Sequence, residues 1–198
     1  MDKKIFYPGE YKKRKKFRMV MASALIKGTL PIEQTWQNVK RHFPEAELYI
    51  YSSQKLHDKE NDSNQNYFLQ GMEGLGARVM QPVKQEILAE IMRTAWIFLM
   101  PNTYPEICSN LLLQARACGL PIVSSNIGAN PEFIENGKTG IITEDYPHDI
   151  WLWVKKYTEA TINLCKDEEQ HQYISENAPE GILDWNEVGE RWNKCLTE

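Results

Sequence analysis

The most constraining feature of this sequence is a strand–helix–strand unit whose strands have no polar face. Trp96-Ile97-Phe98-Leu99-Met100 is apolar at every position and ends at Pro101. A helix over 110–118 follows, Gly119 terminates it, and a second apolar strand runs over 120–124. A strand that faces water on one side alternates apolar with polar residues, whereas one that is apolar throughout needs cover above and below. The unit therefore predicts parallel neighbours joined by a right-handed crossover, in a sheet with helices on both faces.

The rest of the chain extends this alternation. Phe17-Arg18-Met19-Val20-Met21-Ala22-Ser23 reads as a buried strand, and Ile32, Trp36, Val39 and Phe43 mark one face of a helix entered through Pro31 and stopped by Pro44. A strand over 47–51, a polar loop over 52–66, a helix over 67–74, a short strand over 78–80 and a helix over 85–93 follow. Beyond the central unit come a helix of one or two turns over 130–135, bounded by Gly137, and a short edge strand over 140–142. From 146 onward the pattern is helical only, with breaks near 166 and over 179–184. The last helix, 186–196, puts Val188, Trp192 and Leu196 on one stripe, which either packs on its own domain or stays open. The expected fold is α/β, an open doubly wound parallel sheet of Rossmann-like type with extra C-terminal helices. Residues 1–16 read as a basic linker or arm, and 17–198 as the domain.

Composition enters mainly through what it excludes. With 198 residues, 42% hydrophobic and 25% charged, the chain has the makeup of a packed globular domain that needs no metal or disulfide staple. No apolar run approaches the roughly 20 residues of a membrane span, and the charged start Met1-Asp2-Lys3-Lys4 lacks the apolar segment of a signal peptide. Cys108, Cys118, Cys165 and Cys195 are spaced for neither a zinc site nor a disulfide scaffold, which reads as reduced thiols in a cytoplasmic protein. Charge is uneven: residues 1–18 hold eight basic and two acidic side chains in a chain of net −4. The Lys12-Lys13-Arg14-Lys15-Lys16 cluster reads as a solvated linker, with an anionic membrane surface or a partner as the alternative contact. Nucleic acid is not expected, since no aromatics are interleaved with the cluster beyond the flanking Tyr11 and Phe17. His42, His57, His148 and His171 read as surface or helix-end residues.

In a doubly wound sheet, ligands sit beyond the carboxyl ends of the strands. The informative segments are then 23–28, 81–83, 102–110 and 125–131. The third is the richest: Glu106 lies in it, and Cys108-Ser109-Asn110 opens a helix whose first-turn N–H groups and positive dipole end suit a phosphate. Ser109 or Asn110 serves equally well as a plain N-cap. Gln114 follows two turns down the same helix, on the cleft side.

These residues carry a resemblance. The run Pro101-Asn102-Thr103-Tyr104-Pro105-Glu106-Ile107-Cys108-Ser109-Asn110-Leu111-Leu112-Leu113-Gln114, continuing through Ala115 to Ser125, closely resembles the signature of family 4 retaining glycosyltransferases, which are two-domain GT-B enzymes. Gly128-Ala129-Asn130-Pro131-Glu132-Phe133-Ile134-Glu135-Asn136-Gly137-Lys138-Thr139-Gly140 resembles the family's G-G-x-x-E-x-I-x-x-G-x-T-G stretch. Ile26-Lys27-Gly28 resembles its K-G pair, and Asp184-Trp185 the aromatic that opens its last helix. The resemblance implies the C-terminal, donor-binding half of such an enzyme, which transfers a sugar with retention from a nucleotide diphosphate sugar to a glycan or lipid-linked acceptor. That sugar nucleotide is a substrate, and the resemblance implies no cofactor or metal.

The family's E-x7-E motif falls on Glu106 and Gln114. Glu106 would face the donor sugar, and Gln114 would hold the ribose. The backbone of Ile107, Cys108, Ser109, Asn110 and Leu111 would cradle sugar and pyrophosphate, and Lys27 would meet the phosphates as a point charge. Ser23, Gln81 and Val83 complete the expected donor contacts, with Glu106 and Lys27 in the catalytic roles. Glu132 matches a family glutamate, and helix N-terminal stabilisation is an adequate role for it.

The sequence also departs from the pattern. Gln114 replaces a glutamate, losing a charge-assisted bond worth about 1–2 kcal/mol. The arginine that often precedes Lys-Gly is missing from Ala22-Ser23-Ala24, and Cys108 and Ser109 stand where an aromatic and a small residue are common. The acceptor-binding domain is not in this chain, so the isolated chain is expected to be inactive. Two other readings remain: a degenerate, non-catalytic nucleotide-sugar-binding or interaction module, and half of another enzyme on this architecture, such as a sugar-nucleotide epimerase.

Overall fold

The computed structural model describes residues 1–22, 29–52, 63–143 and 149–197. Six parallel strands form one sheet: β1 Arg18–Ala22, β2 Glu47–Tyr51, β3 Arg78–Met80, β4 Ile97–Met100, β5 Ile122–Ser125 and β6 Ile141–Thr143. Their order is β3-β2-β1-β4-β5-β6, so chain direction across the sheet reverses between β1 and β4. The helices are α1 Thr29–His42, α2 Ser63–Gly74, α3 Gln85–Thr94, α4 Asn110–Ala117, α5 Asn130–Phe133, α6 Ile150–Lys166, α7 Glu168–Asn177 and α8 Trp185–Thr197. This is the doubly wound sheet expected from the apolar strands. The polar loop expected over 52–66 ends earlier than its composition suggested, because α2 already begins at Ser63.

Alternation along each strand divides the core in two. Met19, Met21, Leu48, Ile50, Ile97, Leu99 and Val123 pack on one face, against Ile32, Trp36 and Val39 of α1 and Trp153 and Tyr157 of α6. Val20, Ala22, Phe98, Met100 and Ile122 pack on the other, against Ala89 and Met92 of α3 and Leu112 and Ala115 of α4. The period of two along the backbone thus explains why both faces must be apolar. Trp36, fully buried, donates its indole N–H to Leu75 O at 3.0 Å, so its one polar atom is paired.

The first sixteen residues pack on the domain. Phe6 is 2% exposed within the α3–α4 core, and Gly9 N–H donates to Cys118 O at 3.2 Å. Within the basic cluster, Lys12 and Lys15 are exposed as expected of a solvated run, but Arg14 is buried. Its guanidinium makes five bonds, to Ser175 Oγ (3.2 Å), Met92 O (3.2 Å), Ala95 O (3.0 Å), Cys118 O (2.9 Å) and Gly119 O (2.6 Å). These carbonyls lie at the C-terminal ends of α3 and α4, where helices leave acceptors unpaired and the dipole favours a cation. Gly119 has φ +66, and a side chain there would come 2.9 Å from Ser175 O and 3.3 Å from the guanidinium.

His171 corrects a second expectation. It is fully buried, and its ring stacks on Trp96 with centroids 3.6 Å apart and planes 8° from parallel. Its Nε2 lies 2.8 Å from Trp96 O, and a carbonyl only accepts, so this nitrogen carries the proton. Nδ1 then receives the Tyr11 hydroxyl at 3.0 Å. His42 is exposed at the end of α1, as expected, whereas His57 and His148 lie outside the described residues.

Near the C-terminus, Asp184 and Glu187 cap α8 reciprocally: Glu187 N–H donates to Asp184 Oδ1 at 2.8 Å and Asp184 N–H to Glu187 Oε2 at 2.7 Å. The helix buries none of its residues, and Trp192 and Leu196 are 65% and 77% exposed. Of the two expectations for its apolar stripe, the open one holds.

Candidate functional site

The described part of the site is built from the loops after β4 and β5, at the carboxyl ends of two neighbouring strands beside the order reversal. β1 pairs with β4 only through Met19–Ile97 and Val20–Phe98, against five pairs with β2. Residues 23–28, which follow β1 and include Ser23, Lys27 and Gly28, lie outside the described residues. After β4, the segment from Pro101 to Ser109 crosses the sheet end and enters α4.

Ser109 is the N-cap of α4: its Oγ accepts from Leu112 N–H at 3.4 Å, and its side chain is buried. Its carbonyl accepts from Leu113 N–H at 3.2 Å. Asn110 and Leu111, the first two residues of the helix, come before the helical ladder can supply acceptors for their N–H groups. Asn110 is exposed, as are Cys108 and Ile107, the latter at 92%. Glu106, Leu111 and Gln114 are half-buried.

The loop after β5 closes on the loop after β4. Ala129 N–H donates to Glu106 O at 2.8 Å, while Gly128 adopts φ +58 directly against the Glu106 backbone. Asn130, 1% exposed, secures this second loop by donating to Ser124 Oγ (3.1 Å) and Ser125 O (3.4 Å). Thr143 donates to Ser124 O at 3.2 Å and accepts from the Trp153 indole at 3.2 Å, joining β6 and α6 to the same strand end. Behind the loops, the buried Tyr157 hydroxyl bridges the last rung of β4 and β5, accepting from Met100 N–H at 3.0 Å and donating to Val123 O at 2.8 Å.

The structure therefore unites Glu106, Ile107, Cys108, Ser109, Asn110, Leu111 and Gln114 on one loop and helix. It leaves Gln81 and Val83 exposed after β3, three strand spacings, or about 14 Å, from β4. Sequence reasoning missed two buried polar atoms at this end of the sheet. Asn102 Nδ2 and Ser125 Oγ have no hydrogen-bond partner among the described residues. Their only sequence signal is a polar residue immediately following an apolar strand. Among the described residues no group of His, Cys, Asp and Glu is placed to hold a metal ion, and no helix is long and apolar enough to cross a membrane.

Residues 8–165 match the family described as glycosyl transferases group 1. The chain belongs to that family. Spore coat protein SA of Bacillus subtilis (strain 168) is 26% identical over 174 residues, 83% of this chain and 44% of that protein. The chain thus spans under half the length of that curated relative. Among solved structures, the pneumococcal O-GlcNAc transferase GtfA in complex with UDP and GlcNAc superimposes with a TM-score of 0.74 at 19% identity, covering 96% of this chain and 37% of that one. The C-terminal domain of LpcC, a group 1 glycosyl transferase of Francisella tularensis, superimposes with a TM-score of 0.70 at 15% identity, covering 97% and 98%. At these identities the likeness is one of fold, and it agrees with the C-terminal half of a GT-B architecture. Glu106 is the residue on which the β4 and β5 loops converge.

Proposed function

We propose that this chain is the donor-binding domain of a retaining glycosyltransferase, holding a nucleotide diphosphate sugar at the carboxyl end of the sheet. The observation that carries the reading is the convergence of the β4 and β5 loops on Glu106, just ahead of the first turn of α4. A pyrophosphate at that turn meets the N–H groups of Asn110 and Leu111 and the positive end of the helix dipole. Glu106 faces the sugar hydroxyls, Gln114 the ribose, and Lys27 the phosphates, with Ser23, Gln81 and Val83 completing the contacts. As the glycosidic bond to phosphate breaks, negative charge grows on the leaving diphosphate. Groups aimed at that charge stabilise the transition state more than the bound sugar nucleotide. A second domain would bring the glycan or lipid-linked acceptor, and the reading places the protein in the cytoplasm or at the inner face of a membrane. UDP and GlcNAc in the pneumococcal neighbour support the ligand class.

Gln114 favours one rival, a binding module that has lost a carboxylate of the motif. The test is thermal unfolding with UDP, GDP, ADP and their sugar conjugates at millimolar concentration. A ligand at 100 times its Kd adds about 2.7 kcal/mol, a rise in Tm of about 5–10 °C for a chain of this size. The expected result is a rise with one base, lost in Glu106→Ala and Lys27→Ala. No rise in the wild type or in Gln114→Glu overturns the reading, while a rise confined to Gln114→Glu favours the module.

A further inference from the structure

Glu106 sits in a segment that belongs to no helix or strand, five residues beyond Pro101, and its backbone is held from the neighbouring loop. Gly128 lies so close that a Cβ on it would stand 2.6 Å from Glu106 N and 3.0 Å from the Pro105 carbonyl carbon, and closer still to Glu106 O. The next residue, Ala129, donates its N–H to that same oxygen at 2.8 Å. The loop carrying both has little freedom to recede. Asn126 N–H donates to Thr143 O at 3.3 Å, Asn130 N–H to Ile127 O at 3.3 Å, and the buried Asn130 side chain to Ser124 and Ser125.

We propose that Gly128 is a positioning residue: its missing side chain lets the β5 loop seat against the Glu106 backbone and so sets where the Glu106 carboxylate stands. The proposal rests on the donor-site reading for its effect on ligand. Its mechanical part, the contact itself, stands apart from that reading. A Cβ at Gly128 must open the contact to ordinary van der Waals separation, which moves Glu106 by something approaching 1 Å. A misplacement of that size costs on the order of 100-fold where a group must meet its target in a fixed geometry. The α4 first turn and Gln114 lie beyond the contact, so the part of the ligand they hold should be spared.

The experiment compares Gly128→Ala with Gly181→Ala. Gly181 also has positive φ, +75, but a Cβ there meets nothing within 4 Å, so it carries the backbone strain without the collision. Two readouts are taken on each variant and the wild type: hydrogen exchange of the Ala129 amide, and affinity for the sugar nucleotide and the free nucleoside diphosphate that stabilise the wild type. Gly128→Ala should lose Ala129 protection. Its sugar-nucleotide affinity should fall 10- to 100-fold, and its nucleoside diphosphate affinity should change less than threefold. Gly181→Ala should keep all three. Unchanged Ala129 protection in Gly128→Ala overturns the proposal, as does an equal loss of both ligands or a matching loss in Gly181→Ala. If the wild type binds no nucleotide, the donor reading fails and the amide readout alone decides whether the glycine seats Glu106.

Discussion

Arg14→Met tests whether a buried cation holds the N-terminal arm to the domain. The substitution removes all five guanidinium bonds and keeps an unbranched side chain in the space. Two acceptors retain partners: Cys118 O keeps Gly9 N–H, and Gly119 O keeps the Ser175 hydroxyl at 2.7 Å. Met92 O and Ala95 O lose their side-chain donor, at about 2 kcal/mol each for a buried polar group stripped of a partner. Losing a cation at the ends of two helices adds about 1–2 kcal/mol in all. Against this stands relief from desolvation. Burial pushes the Arg14 pKa down from 12.5 to about 10, which corresponds to roughly 3 kcal/mol against the charged form. The net expectation is a loss of about 2–3 kcal/mol, or roughly 5–10 °C in Tm for a chain of this size. Urea unfolding followed by circular dichroism measures it, with Arg14→Lys, which keeps the charge without the planar fork, falling between. A loss below about 0.5 kcal/mol would show that desolvation cancels the five bonds, and would refute this account of the arm.

Two further predictions follow from buried polar groups. His171 is held neutral because burial, the largest cause, lowers its pKa from 6.5 to about 4. Between those values the unfolded chain binds the extra proton, so the contribution is complete above about pH 6.5 and is lost as pH falls toward 4, about 3 kcal/mol in all. Unfolding free energies at pH 7.5 and 4.5 should show this fall in the wild type, and a much smaller one in His171→Gln; equal slopes would sink the assignment. Tyr157→Phe strips the bridge between Met100 N–H and Val123 O and should cost about 1–3 kcal/mol in denaturant unfolding. A change under about 0.5 kcal/mol would mean that the β4–β5 rung closes without the hydroxyl.

Much of the architecture was legible because its signals are local. Apolar runs at 96–100 and 120–124, each ended by a turn residue or a polar one, specify buried strands by burial on both faces alone, and Pro44, Pro101 and Gly119 mark ends through backbone geometry. The same holds for the α4 cap, which residue types alone narrow to Ser109 or Asn110, since capping depends on residues within one turn. Both states of the α8 stripe stay open in the sequence, because its cover depends on distant surfaces. The edge of α2 was misread because Ser63-Asn64-Gln65-Asn66 has loop-like composition, and tertiary context outweighs such weak propensities.

What the sequence determined by itself is the order and kind of its elements, and the run of residues that would meet at the sheet's carboxyl end. Tertiary structure alone decided the rest. Arg14 and His171 look like solvent-facing polar residues, yet Arg14 finds acceptors 78 to 161 positions away and His171 finds a carbonyl 75 positions away. Glu106 and Gly128, 22 residues apart, meet only because β4 and β5 are neighbours in the sheet. Periodicity reports which face of an element is apolar, a property of consecutive residues. Whether a buried charge or a glycine is tolerated depends on which distant atoms fill the space beside it, and only the assembled fold brings those atoms there.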